Sequence, residues 1–298
     1  MKNIVITGAS GFIGKRLTHR FLSSGCPVTG IGTSGHHPFE KQKAFEWIAA
    51  DTTLPGQWQA HVSKADIIVN LAGRTIFKRW TEAYKQAVYD SRVKTTKHIV
   101  NAIDPDKETV LLSASAVGFY GDCGDAQLTE TDSPGYDFLA SVCVDWEKEA
   151  VKARQKNTRV AVMRFGIVLG KEGALKMMVP AFRFFAGGSI GSGDHWFPWI
   201  HITDLENAIF FIIGHETLDG VFNFTGPGPI RQKMFAKALG QVLHRPVFFK
   251  TPSFILKALM GELGSLLLQS QKAIPERLLD AQFNFLYADA KTALSDLF

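Results

Sequence analysis

The fold class predicted here is α/β, a doubly wound parallel sheet with a smaller, irregular substrate-side domain toward the C-terminus. Three observations carry that expectation. Short apolar runs alternate with helix-length periodic segments through the first half of the chain. A glycine-rich turn separates the first run from the first periodic segment. After about residue 165 the texture shifts to glycine, serine and proline punctuation.

The elements follow in order. Ile4-Val5-Ile6 reads as a strand ending at Thr7-Gly8. Phe12, Ile13, Leu17, Phe21 and Leu22 recur at helical spacing, and Gly25 stops that helix. Val28–Ile31 and Phe45–Ala50 read as the second and third strands. Ile67-Ile68-Val69, bounded by polar residues, reads as a strand buried on both faces. Trp80–Ile103 is a long helical pattern, Val110-Leu111-Leu112 a fifth strand, Asp137–Ala153 a helix and Val160–Met163 a sixth strand. Strands alternating with helices of this length require right-handed crossovers, hence a parallel sheet. Later, Gly187–Gly193 is a Gly/Ser loop and Pro227, Pro229, Pro246 and Pro252 break up the rest. The expected division is a dinucleotide-binding domain over 1–165, with 199–225 returning to it, and a smaller domain from 166–198 and 226–298.

Composition narrows the function classes. Of 298 residues, 46% are hydrophobic and 20% charged, which excludes global disorder. The 33 basic and 28 acidic residues are interleaved, and no Lys/Arg run stands out, so a nucleic-acid partner is not expected. Cys26, Cys123 and Cys143 lie far apart with no CxxC, so neither a metal site nor a disulfide framework is expected. The N-terminus enters a strand directly rather than a signal peptide, and no apolar run reaches the length of a membrane span. A cytoplasmic protein with a small-molecule substrate and no membrane partner is the expectation. A homodimer is left open.

Gly8-Ala9-Ser10-Gly11-Phe12-Ile13-Gly14 is a GxxGxxG turn between strand and helix. Gly8 permits the tight turn, Gly11 lets a pyrophosphate approach the backbone, and Gly14 lets the helix pack on the strand. The helix N-terminus then offers free N–H groups and the positive end of its dipole to phosphates. Ser10, Phe12 and Ile13 belong to the same cradle. An NAD site usually has an acid about 20 residues on, for the ribose hydroxyl. Here the second strand runs into Gly32-Thr33-Ser34, and the first acid after it is Glu40. No carboxylate repels a 2′-phosphate, and Thr33 and Ser34 can bind one, so NADP(H) is favoured and NAD(H) stays open. Asp51, after the third strand, is a candidate contact to adenine.

Several segments together resemble the extended short-chain dehydrogenases/reductases: Thr7–Gly14, Asn70-Leu71-Ala72-Gly73, Ser113–Gly121, Arg164–Gly170 and Trp199–Asp204. More narrowly, Ser91-Arg92, Trp146-Glu147 and Pro198-Trp199-Ile200-His201 are similar to the YfcH-like epimerase group, an NAD-dependent epimerase/dehydratase family with a C-terminal domain of unknown function. Arg245–Leu294 resembles that domain. The resemblance implies a Rossmann-type fold and a bound dinucleotide, with Leu71, Ala72 and Gly73 as candidate contacts; Arg92 stands roughly where the family has a structural Asn, and a ligand-facing role is favoured for it over a surface salt bridge. Two departures stand out. Many relatives carry Arg after the Ser/Thr that ends the second strand, and many carry Glu after NLAG, where this chain has Arg74.

The wider family uses Ser/Thr with a Tyr and a Lys four residues apart on one helix. Ser115 matches the Ser. Anchoring the helix on Glu147 puts Leu139 at the Tyr position and Cys143 at the Lys position, and Tyr136 has Ala140 four residues on. Acid–base work must then be non-standard, with Tyr120 or a bound water as candidates; Tyr120 also matches a tyrosine that shapes the substrate pocket. Arg164 ends the sixth strand, with a ligand contact or a surface ion pair as its alternatives. Two functions follow. One is an NADP(H)-binding epimerase/dehydratase-like oxidoreductase acting on a small polar substrate, nucleotide-linked substrates included. The other is a non-catalytic redox sensor or interaction protein on the same scaffold.

Overall fold

In the computed structural model, which describes residues 2–298, seven parallel strands form one sheet. They are β1 (Ile4–Thr7), β2 (Val28–Gly32), β3 (Phe45–Ala49), β4 (Ile67–Asn70), β5 (Thr109–Ala116), β6 (Thr158–Phe165) and β7 (Gly220–Phe224), in the order β7-β6-β5-β4-β1-β2-β3. The order reverses between β1 and β4, which places a crevice at their carboxyl ends. The predicted doubly wound sheet is present, and its predicted strands sit within a few residues of the observed ones. β5 and β6 run longer than their apolar cores, because each extends into polar residues that turn out to matter.

Helices cover both faces. On one side α1 (Phe12–Ser23) packs with Leu17 and Phe21 against Ile4, Ile6 and Val69, joined by Leu205, Ile209 and Ile212 of the later helix Ile202–Gly214. On the other lie α2 (Gln59–Lys64), α3 (Glu82–Ala102) and α4 (Phe138–Val151). Thr81 caps α3 by accepting from Tyr84 N at 3.1 Å, and Asp137 caps α4 by accepting from Ala140 N at 3.0 Å. Burial of Ile, Leu and Val at roughly 1.5–3 kcal/mol each makes these two layers the main source of stability.

The carboxyl-side region has its own core, in which Leu175, Phe182, Trp199, Phe235 and Leu294 meet. The C-terminal segment is tied to the helix Ile202–Gly214 by Asp204, whose carboxylate accepts from Leu286 N (2.8 Å) and Tyr287 N (3.1 Å). His201 caps the helix Ile202–Gly214 by accepting from Thr203 N at 3.2 Å. Both residues hold backbone together. Among the described residues no helix is long and apolar enough to cross a membrane, and no His/Cys/Asp/Glu group could hold a metal.

Candidate cofactor crevice and the polar row beside it

Two neighbouring places at the carboxyl edge of the sheet carry most of the polar chemistry. The first is the glycine turn. Gly8 has φ +71° and lies so close to the β4 exit that a Cβ there would sit 2.9 Å from Leu71 O. A Cβ on Gly14 would overlap Gly8 O and Ala9. Gly11, by contrast, would place its Cβ 3.2 Å from Gly8 O and meet nothing else within 4 Å, so open space lies beyond it. Helix α1 has no side-chain cap and no acid in its first turn. Its first amides are therefore available and unopposed, which is the donor set a diphosphate needs. The side chains of Phe12 and Ile13 pack into the core, so these residues offer their backbone to the crevice. Ser10 lies half-buried near Gly32.

Thr33 and Ser34 are exposed beyond β2. Ser34 Oγ accepts from His36 N (3.1 Å), and its carbonyl accepts from Trp47 Nε1 (2.9 Å). Asp51 is exposed, and hydrogen bonds from the Thr53 hydroxyl and amide hold its carboxyl below the usual range. Leu71, Ala72 and Gly73 leave β4 along the crevice, and Arg92 reaches over from α3 to donate to Arg74 O at 3.0 Å. The structure thus brings the glycine turn and the 71–73 segment together directly, with Thr33, Ser34 and Asp51 grouped at the β2–β3 side.

The second place is a row of polar residues across three strands. Ser115, Arg164 and Asn223 are register partners on β5, β6 and β7. Arg164 forms a fork on Glu147 of α4, Nε to Oε1 and Nη2 to Oε2, both at 2.8 Å. The Ser115 hydroxyl donates to the same Glu147 Oε1 at 2.6 Å. The Tyr120 hydroxyl accepts from Arg164 Nη1 (2.9 Å), with Asn223 Oδ1 and Thr129 O each 2.8 Å away for its one proton. The Arg164 guanidinium also stacks 3.4 Å from the Phe119 ring centre. Glu130 closes the row by accepting from Asn223 N at 2.9 Å, and burial raises its pKa.

This row alters two expectations. Arg164 is neither ligand-facing nor in a surface ion pair, since its side chain is 4% exposed and its partner Glu147 9%. Tyr120 is 1% exposed with its hydroxyl fully engaged, and burial pushes its pKa up to about 12. In this arrangement the Tyr120 hydroxyl is bonded to protein groups only. Ser115 is 2% exposed. Tyr136 is fully exposed. Cys143 is a buried thiol beside Ser115, with burial pushing its pKa up to about 11. Glu147 and Asn223 were not singled out for chemistry from the sequence. A lone Asn in Val221–Phe224 was the available signal, because an amide inside an apolar strand needs a partner.

The sheet order, the crevice at its switch point and the bare amides of α1 define a dinucleotide-binding α/β protein of the Rossmann type. The model of the NAD dependent epimerase/dehydratase family matches residues 4–224, and the chain belongs to that family. A domain of unknown function, DUF1731, matches residues 251–297. The chain is 40% identical over 98% of its length to the chloroplastic epimerase family protein SDR39U1 homolog of Arabidopsis thaliana, covering 85% of that protein. It is 35% identical over 99% of its length to epimerase family protein YfhF of Bacillus subtilis, covering 97% of it. Among solved structures, human epimerase family protein SDR39U1 with NADPH aligns at TM-score 0.84 and 29% identity, covering 99% of this chain and 98% of that one. MoeE5 in complex with UDP-glucuronic acid and NAD, at 17% identity and TM-score 0.81, covers 98% of this chain and 96% of that one and shares the fold.

Proposed function

We propose that the chain binds NADP(H) across the carboxyl ends of its sheet and moves hydride to or from a small polar substrate. The observation that carries this reading is the uncapped α1 N-terminus behind a turn where Gly8 and Gly14 admit no side chain and Gly11 faces open space. The solved human relative at 29% identity contains NADPH, which supports the choice of cofactor. In this reading the backbone from Gly8 through Gly14 holds the diphosphate. Thr33 and Ser34 take the 2′-phosphate, with no carboxylate between them and Glu40 to repel it. Asp51 contacts adenine, and Leu71, Ala72, Gly73 and Arg92 wall the nicotinamide end. The bound cofactor supplies or accepts the hydride.

Ser115 is the residue assigned to polarise the substrate. Its proton points to Glu147, so it must turn to donate to a carbonyl, and Glu147 sets its resting orientation. Tyr120 shapes the wall, and proton exchange falls to water.

A second reading, a non-catalytic NADPH-binding sensor, is favoured by one observation. Helix α4 presents Leu139 and Cys143 where a Tyr–Lys pair would act, and both candidate hydroxyls are sealed. NADPH oxidation with a panel of aldehydes, ketones and nucleotide-linked sugars separates the two. Turnover with any of them supports the enzyme, whereas tight NADPH binding with complete inertness supports the sensor. In either case Gly11→Val is expected to weaken NADPH binding by 100-fold or more, on the order of 2.7 kcal/mol, because the side chain fills the phosphate space. Unchanged affinity removes the cradle assignment.

A further inference from the structure

Charge does not balance at the carboxyl ends of β4 and β5. Arg92 lies across the end of β4, where its guanidinium carbon would stand 3.2 Å from a Cβ on Gly73. Nη1 donates to Val88 O at 3.1 Å and Nη2 to Arg74 O at 3.0 Å, and the group lies 5.3 Å from the Trp146 ring centre. Both hydrogen-bond partners are neutral carbonyls, and among the described residues Arg92 makes no ion pair. The facing helix α4 does not compensate. Glu147 is committed to the Arg164 fork, and Asp145 accepts from Tyr89 Oη at 3.0 Å. Cys143 is a protonated thiol and Leu139 is apolar. Glu147 thus serves Arg164 alone, and the Arg92 guanidinium, beside the backbone of Arg74, has no carboxylate partner among the described residues. Arg92 is partly buried, and that burial works against its charge.

The glycine turn and the β2 end receive the adenosine half of a dinucleotide, so the ends of β4 and β5, across the switch point, receive the other half. An oxidised nicotinamide ring carries a positive charge, and a reduced ring carries none. We propose that Arg92 makes this crevice discriminate between the two oxidation states of its cofactor, retaining the reduced dinucleotide and disfavouring the oxidised one. The inference rests on the cofactor reading above and goes beyond it by assigning a selectivity and the residue responsible. Like charges separated by several ångströms in a partly buried site make a preference on the order of tenfold. The consequence suits both an enzyme that releases its oxidised cofactor and a sensor of the reduced pool.

The test is calorimetric titration of the full chain with NADPH, NADP+ and 2′-phospho-ADP-ribose, which lacks nicotinamide, and in parallel with NADH, NAD+ and ADP-ribose. Wild-type protein is expected to bind the reduced form on the order of tenfold more tightly than the oxidised form. Arg92→Gln should shrink that ratio by roughly fivefold or more while leaving the ribose fragment within about twofold, and Arg92→Lys should keep the ratio. A merely structural role would weaken all three ligands together. Equal affinity for both oxidation states in wild-type protein overturns the proposal without any variant, and so does a ratio untouched in folded Arg92→Gln. Failure of all six ligands to bind removes the cofactor reading, and this inference with it.

Discussion

The glycine turn after β1 and the polar row at the ends of β5, β6 and β7 occupy the same edge of the same sheet, yet they treat hydrogen-bonding capacity in opposite ways. At the turn, Gly8 N and Gly11 N are held by backbone carbonyls, but the first amides of α1 have no side-chain cap and no acid beside them. In the row, Ser115, Tyr120, Glu147, Arg164 and Asn223 satisfy one another behind a wall of buried side chains. Residue type therefore misleads when read alone. Ser, Tyr, Glu and Arg look like chemistry and here act largely as structure, whereas three glycines without a functional group make the better candidate for ligand binding. What separates a site from a scaffold is whether its polar atoms still lack a partner.

The contrast can be broken or sharpened by substitution. The largest effect is expected in the row. Arg164→Ala leaves Glu147 buried without its cation and should cost about 3–5 kcal/mol of stability, read as a lower urea midpoint. The double variant Arg164→Met, Glu147→Leu should be milder, because a buried pair replaced by apolar groups loses little. A single variant as stable as wild type would mean that the row is not structural. Next is pH. The Tyr120 hydroxyl has its pKa raised by burial from 10.0 to about 12. The unfolded chain loses this proton first, so its contribution is intact below pH 10 and fades as pH rises toward 12. The loss amounts to about 3 kcal/mol across that window. Chemical denaturation of wild type and Tyr120→Phe at pH 8 and pH 11 checks this, and the wild type should lose more between the two values. Parallel losses would place Tyr120 in contact with solvent.

Smaller effects belong to the open turn. Gly11→Val should leave the unfolding free energy within roughly 1 kcal/mol of wild type while abolishing most NADPH binding, the reverse of the Arg164→Ala pattern. Ser34→Arg adds a guanidinium at the exposed end of β2 and should raise the preference for NADPH over NADH by roughly tenfold. An unchanged ratio would place the 2′-phosphate away from Ser34.

Much of this was legible in the order of residues. Alternating apolar runs and helical periodicities are local signals set by the chain's own chemistry, so the doubly wound sheet follows from them, as does the position of the glycine turn between β1 and α1. Caps such as Thr81 and Asp137 act within three residues and can be read the same way. The polar row could not. Glu147 and Arg164 are 17 residues apart, and Tyr120 and Asn223 are 103 apart. Their meeting depends on strand register and on which face of α4 turns inward. The same holds for Arg92, whose lack of an ion pair among the described residues is visible only once Gly73, Trp146 and Cys143 stand around it. Sequence determines which polar groups exist, and local rules place them on elements. Only the assembled tertiary structure decides which remain unsatisfied, because satisfaction is a property of neighbours brought together by folding.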